Sequence, residues 1–198
     1  MEKLPKKYIS VDVEASGKYP WNSSMLSFGA CVVDGKFDKT FYAELKPLSR
    51  KYVYDNFRIG CSSLDILKDY NFDNFNPEEV LDLLYKQGQN PSDVMSKFAF
   101  WIISNTKGHR PVICSDNLLF DGMFVLYYFS NLLNDGNIFG HSVENIQSVF
   151  RGKANDMSAN LEELSLRESG KLRHNALQDA INHAREFHTA LTFMRHKY

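Results

Sequence analysis

Polar and apolar residues alternate over Tyr8–Val13, with Ile9, Val11 and Val13 on one side and Ser10, Asp12 and Glu14 on the other. A period of two predicts a strand with one continuously apolar face. Met25–Val33 and Phe37–Leu45 are two further strand-like runs, joined through Asp34-Gly35, a strong hairpin signal. The chain therefore opens as an antiparallel meander of three strands. Residues 46–89 are polar, aromatic and irregular, apart from a short helix over Asn76–Tyr85 in which Asn76 caps and Pro77 takes the first helical position. Asn90 and Pro91 repeat that start signal ahead of a helix whose stripe of Val94, Phe98, Trp101 and Ile102 predicts a buried face. A short strand at Pro111–Cys114, a helix over Leu118–Leu132, a last short strand at Asp135–Gly140, a helical stretch at Leu161–Leu166 and a closing helix from Ala176 to about Arg195 complete the pattern. This order predicts one mixed α/β domain over residues 1–198, with the meander at one side and parallel strands after the crossovers.

Composition changes this picture little. At 43% hydrophobic and 24% charged residues, the chain matches an ordinary soluble domain, which excludes disorder and coiled coil. There is no apolar run long enough to span a membrane and no apolar signal region at the N-terminus, so a cytoplasmic protein without membrane partners is expected. Cys31, Cys61 and Cys114 lack close ligand spacing and read as reduced core thiols. A net charge of −1 argues against coating of long duplex nucleic acid and for contact with a few nucleotides at a chain end.

Four separated acids and one histidine carry the chemistry. Asp12 and Glu14 project from the same face of a central strand, roughly 7 Å apart along it. Two adjacent buried carboxylates repel unless a cation balances them, and hard oxygen ligands favour Mg²⁺ or Mn²⁺ over zinc. Asp121 begins a helix just past a strand end, where α/β folds place their sites. Asp179 lies near the start of the closing helix among Ala176, Ala180 and Ala184, a small-residue stripe that lets a helix lie close against a sheet. His174 stands five residues before Asp179. His109, His141, His183, His188 and His196 show no informative acidic partner and are expected to be ordinary surface or core histidines.

In order, Val11-Asp12-Val13-Glu14, Asn117-x-x-Phe120-Asp121 and His174-x-x-x-x-Asp179-Ala180 resemble the three motifs of the DEDDh family of 3′–5′ exonucleases, in the ribonuclease H-like superfamily. Met25-Leu26-Ser27-Phe28-Gly29-Ala30 is similar to the family's second strand. Two positions depart: Ala15 stands where the family often has threonine, and Asp116 where many members have histidine. The resemblance implies a ribonuclease H-like mixed sheet with helices on both faces. It also implies two Mg²⁺ or Mn²⁺ ions about 4 Å apart that clamp the scissile phosphate. In that scheme Asp12 bridges the ions, Glu14 and Asp179 complete the inner one, and Asp121 holds the outer one through water. His174 is the general base, and a nucleoside 5′-monophosphate is the product. The backbone at Ala15 and Ser16 would meet the terminal nucleotide, and Met25 would wedge its base.

The polymer is a further expectation. The Lys46–Arg58 stretch mixes cations with aromatics, a combination that stacks bases of single strands, although an ordinary solvated loop fits it as well. Arg167–Arg173 leads into His174 and could touch phosphates. The small size is similar to trimming ribonucleases such as ribonuclease T and oligoribonuclease. RNA or short oligonucleotides with free single-stranded 3′ ends are therefore the expected substrate. A proofreading-like DNA exonuclease is the alternative, and a binding-only ribonuclease H-like module a more distant one. A homodimer stays open.

Overall fold

The computed structural model describes residues 4–133, 138–140, 142–161 and 174–193. Its strands β1 (Lys6–Ala15), β2 (Met25–Val32), β3 (Thr40–Glu44), β4 (Arg110–Ser115) and β5 (Val143–Asn145) form one sheet in the order β3-β2-β1-β4-β5. The first three are antiparallel neighbours, and β4 and β5 run parallel to β1. The meander and the later parallel strands are thus as the sequence predicts, with the carboxylate-bearing strand at the centre.

The two faces of β1 separate two cores. Ile9, Val11 and Val13 pack with Phe28 and Ala30 against α3 (Pro91–Asn105) and α4 (Leu118–Leu132), through Val94, Phe98, Ile102, Phe124 and Phe129. On the opposite face, Cys31 and Cys114 pack against α5 (Ile146–Ala154) and α6 (Ala176–Thr192), through Ile146, Phe150, Ala184 and Phe187. All three cysteines are buried and free, and burial pushes the Cys31 thiol up to about 12. Among the described residues, no helix is long and apolar enough to cross a membrane.

Residues 46–89 are more ordered than their composition predicts. They form α1 (Tyr54–Cys61), 3₁₀ turns at Asp65–Leu67 and Phe72–Asn74, and α2 (Pro77–Gln87). Phe57, Leu64, Leu67, Val80, Leu81 and Leu84 enclose Leu26 in a third core. Asn76 and Asn90 cap α2 and α3 by accepting backbone N–H bonds, as predicted.

Other expectations shift. Of the residues predicted as the last strand, 135–137 lie outside the described residues, Phe139 is buried in the core and Gly140 turns the chain with φ +69°; pairing with β4 begins at Val143. The first two residues of β5 match β4 residues Ile113 and Cys114, which sets the register. The predicted helix at 161–166 lies, beyond Leu161, outside the described residues, as does the basic stretch 167–173.

Candidate active site

Local packing brings the distant acids together. Asp12 pairs with Gly29 across the β1–β2 ladder. A Cβ at Gly29 would lie 2.2 Å from the Ala176 carbonyl oxygen and 2.5 Å from Leu177 Cα. The bare glycine backbone is what admits the first turn of α6 onto the sheet beside Asp12. Ala176, Ala180 and Ala184 are fully buried along that contact, so the small-residue stripe does what its spacing predicts. Asp179 lies in the first turn of α6, and one carboxylate oxygen from each of Asp12, Glu14 and Asp179 falls within 4.8 Å of the others.

Asp121 arrives from the other side of β1. It sits in the first turn of α4, just past the end of β4, and is 2% exposed. Its Oδ1 accepts the Val13 amide at 3.1 Å, and its Oδ2 accepts the Ser115 hydroxyl. These bonds tie α4 to the carboxylate strand and aim Asp121 into a cleft of about 250 Å³. The cleft is lined by Asp12, Val13, Glu14, Asp116, Asn117, Phe120, Asp121, His174, Asp179 and His183. It thus contains all five residues of the sequence motifs.

His174 immediately precedes Asn175, the N-cap of α6, and has a left-handed backbone with φ +44°. Its Nδ1 lies 4.0 Å from Glu14 Oε1, and the Ser63 hydroxyl donates to its carbonyl oxygen. Ser63 is itself on a fixed turn. The buried Glu44 carboxylate accepts the amides of Asp65 and Ile66 at 2.6 and 3.0 Å, pinning the 3₁₀ turn that follows Ser63. The otherwise unplaced region 46–89 therefore reaches the site through Ser63.

His183 corrects the sequence reading. It is not an ordinary histidine of the core: it lines the cleft one turn after Asp179, with Nδ1 3.8 Å from Asp12 Oδ1. The signal was its i+4 spacing from Asp179, which puts both side chains on one helix face.

The expected nucleotide contacts need correction as well. Met25 is 0% exposed, packed in the first core with its amide bonded to the Tyr128 hydroxyl at 2.8 Å, and it is not among the residues lining the cleft. Ser16 is fully buried. Its amide donates to the Ser24 carbonyl, its carbonyl accepts the Val53 amide, and its hydroxyl bridges the Ser24 amide and the Lys51 carbonyl. The side chain of Ala15 is buried, leaving only its backbone to meet a ligand.

Electrostatics explains what this cleft is built to hold. Burial, then Asp179 and Asp121, push the Glu14 carboxyl up to about 9. Burial also raises Asp121 to about 7, against the lowering effect of its Ser115 and Val13 hydrogen bonds. Neither arginine nor lysine is among the described residues lining the cleft. Carboxylates held this close with no lysine or arginine among the described lining fit divalent cations, which supply positive charge and accept hard oxygen ligands.

No family model matches the chain. It is 34% identical over 146 residues to the 3′–5′ DNA exonuclease Cap18 of Escherichia coli, a match covering 73% of this chain and 68% of that protein. Its fold is that of Exonuclease I. The apo enzyme superposes with TM-score 0.59 at 13% identity over 94% of this chain, and the Methylocaldum szegediense enzyme with TM-score 0.60 at 12% identity over 94%. The chain spans 42% and 40% of the lengths of those two chains. Motifs, fold and curated relative agree, and the chain belongs to the DEDDh family of 3′–5′ exonucleases.

Proposed function

We propose that this protein removes nucleoside 5′-monophosphates from free single-stranded 3′ ends with the help of divalent metal, and that DNA is its principal substrate. The observation that carries the metal requirement is the convergence of Asp12, Glu14 and Asp179 in a cleft with no lysine or arginine among its described lining. The DNA reading is supported by Cap18, named a DNA exonuclease, and by Exonuclease I solved with a dA16 oligonucleotide, a complex that superposes with TM-score 0.56. It replaces the expectation of RNA or short oligonucleotides.

Asp12, Glu14 and Asp179 would hold the metal, with Asp121 contributing from the α4 side. Bound Mg²⁺ or Mn²⁺, as a pair, would polarise the phosphate and ease ionisation of the attacking water. His174 takes the water proton as the oxygen adds to phosphorus, and the bond to the 3′ oxygen of the penultimate nucleotide breaks. Glu14, beside His174, steadies the imidazolium that results. Phe120 lines the cleft as an apolar wall for the terminal nucleotide.

The test is digestion of matched 5′-labelled single-stranded DNA and RNA, with Mg²⁺, with Mn²⁺ and with excess chelator. A ladder shortening from the 3′ end, faster on DNA and absent in chelator, is expected. Full activity in chelator, cleavage of circular single strands, or RNA digestion outpacing DNA would overturn the corresponding part of the proposal.

A further inference from the structure

The segment that follows Glu14 turns its expected contact residues inward and different ones outward. Ser16 and Ser24 close a neck: the Ser16 amide bonds the Ser24 carbonyl at 2.8 Å, and the Ser24 amide bonds the Ser16 hydroxyl at 2.9 Å. The neck is tight, since a Cβ at Gly17 would lie 2.3 Å from Ser23 Oγ. It is laced to the next segment by the Val53 amide on the Ser16 carbonyl at 2.7 Å. Beyond it the chain projects a small loop, closed by the Asn22 amide on the Tyr19 carbonyl at 3.2 Å.

At the tip of that loop Tyr19 is 47% exposed and Trp21 62% exposed. Their rings stack on each other at 5.0 Å with planes 9° apart. Two large aromatics held parallel and open to solvent present a flat apolar surface on which a further planar ring can stack. Lys18, next to Tyr19 in the chain, and Lys51, whose carbonyl joins the neck, are both exposed and available to phosphates. Tyr19 is only five residues past Glu14, and the chain keeps their Cα atoms within about 18 Å of each other. That is a reach of a few nucleotides.

We infer that the Tyr19–Trp21 pair is a base-stacking platform for the single strand entering the cleft, holding nucleotides upstream of the terminal one. Aromatic faces read every base and prefer unpaired ones, while the lysines meet the backbone phosphates. The platform makes the enzyme select single-stranded 3′ ends without sequence preference. This rests on the exonuclease reading above.

The chain has two tryptophans, so Trp101→Phe leaves Trp21 as the sole tryptophan, which excitation beyond the tyrosine band reads selectively. Titrating this variant with a dT12 oligonucleotide in chelator should quench Trp21 fluorescence, whereas thymidine 5′-monophosphate should not. Tyr19→Ala with Trp21→Ala should raise KM on dT12 by about tenfold or more. It should leave kcat, and KM on a dinucleotide, unchanged. Trp21→Phe with Tyr19 intact should restore KM. Both side chains are exposed, and an unchanged melting temperature checks that the fold is intact. An unquenched Trp21, an unchanged KM on dT12, or a fluorescence change that follows protein concentration alone would overturn the platform. If the wild-type protein digests no 3′ end, the exonuclease reading fails instead, and the two failures are told apart.

Discussion

The two sides of the cleft are built by different means. Asp12 and Glu14 ride on the central strand, paired with Gly29 and Ser27 across the β2 ladder, and α6 seats directly on the sheet because Gly29 lacks a side chain. His174 stands outside regular structure, in a left-handed backbone ahead of the α6 cap. Its carbonyl is held by one hydroxyl from a distant segment. The contrast fits the division of labour. Charge-bearing ligands gain from a frame that cannot relax, since rigid placement is what stops close carboxylates from moving apart. A proton acceptor must meet water and then release its proton, so it sits at the edge of the frame, in a strained conformation of a kind that clusters at functional sites.

The sharpest way to break the frame is Asp12→Asn, which should cut turnover by about a thousandfold, roughly 4 kcal/mol in transition-state terms. Circular dichroism and melting temperature should stay close to wild type. Near-normal turnover would remove Asp12 from the chemistry.

The edge is tested by His174→Ala. Turnover should fall by roughly a hundredfold to ten-thousandfold, with KM for substrate little changed and residual activity rising with pH as hydroxide replaces the base. A melting temperature lowered with turnover intact would mean that His174 serves the α6 cap alone.

A smaller effect tests the tether. Ser63→Ala should lower single-turnover rate by about fivefold, since one hydrogen bond contributes on the order of 1 kcal/mol. KM should hold, and Ser63→Thr, which keeps the hydroxyl, should restore the rate. Loss of stability with the rate unchanged would make Ser63 purely structural.

The smallest effect is on the stability of the metal-free protein, and here the sign follows from the raised carboxyls. Glu14 titrates near 9 when folded, against an ordinary 4.5, and Asp121 near 7 against 3.8. The folded state therefore keeps protons that the unfolded chain has released, and folding loses free energy as pH rises across those windows. In chelator, the melting temperature should be highest near pH 4 to 5 and decline steadily toward pH 9. Mg²⁺ or Mn²⁺ should reverse that trend, because metal binds the ionised carboxylates. A flat profile in chelator, or no response to metal, would contradict the electrostatic account of the frame.

Much of this was legible along the chain. The meander followed from the period-two pattern of Tyr8–Val13 and the Asp34-Gly35 turn, and the starts of α2 and α3 followed from Asn-Pro pairs. α5 is not among the predicted helices, although Asn145 caps it and Ile146, Val149 and Phe150 form its apolar stripe. The short β5 carries no such signal, since three half-exposed residues pair only because β4 offers an edge. The third core is hidden for a related reason. Phe57, Leu64 and Leu81 lie far apart in sequence, and Leu26, which they enclose, reads as an ordinary strand residue.

The sequence alone determined which residues carry chemistry. Spacing sets which side chains share a strand or helix face, and Asp12 with Glu14, or Ala176 with Ala180, needs nothing more. Only the tertiary structure decided which of the neighbouring residues face the cleft. His183 joined it, while Met25 and Ser16 turned inward, because the packing of α6 and the closed neck at Ser16 set their directions. Tyr19 and Trp21 were left outside by that same neck. Burial depends on what folds back over a residue, and that is a property of distant segments meeting, which no local pattern records.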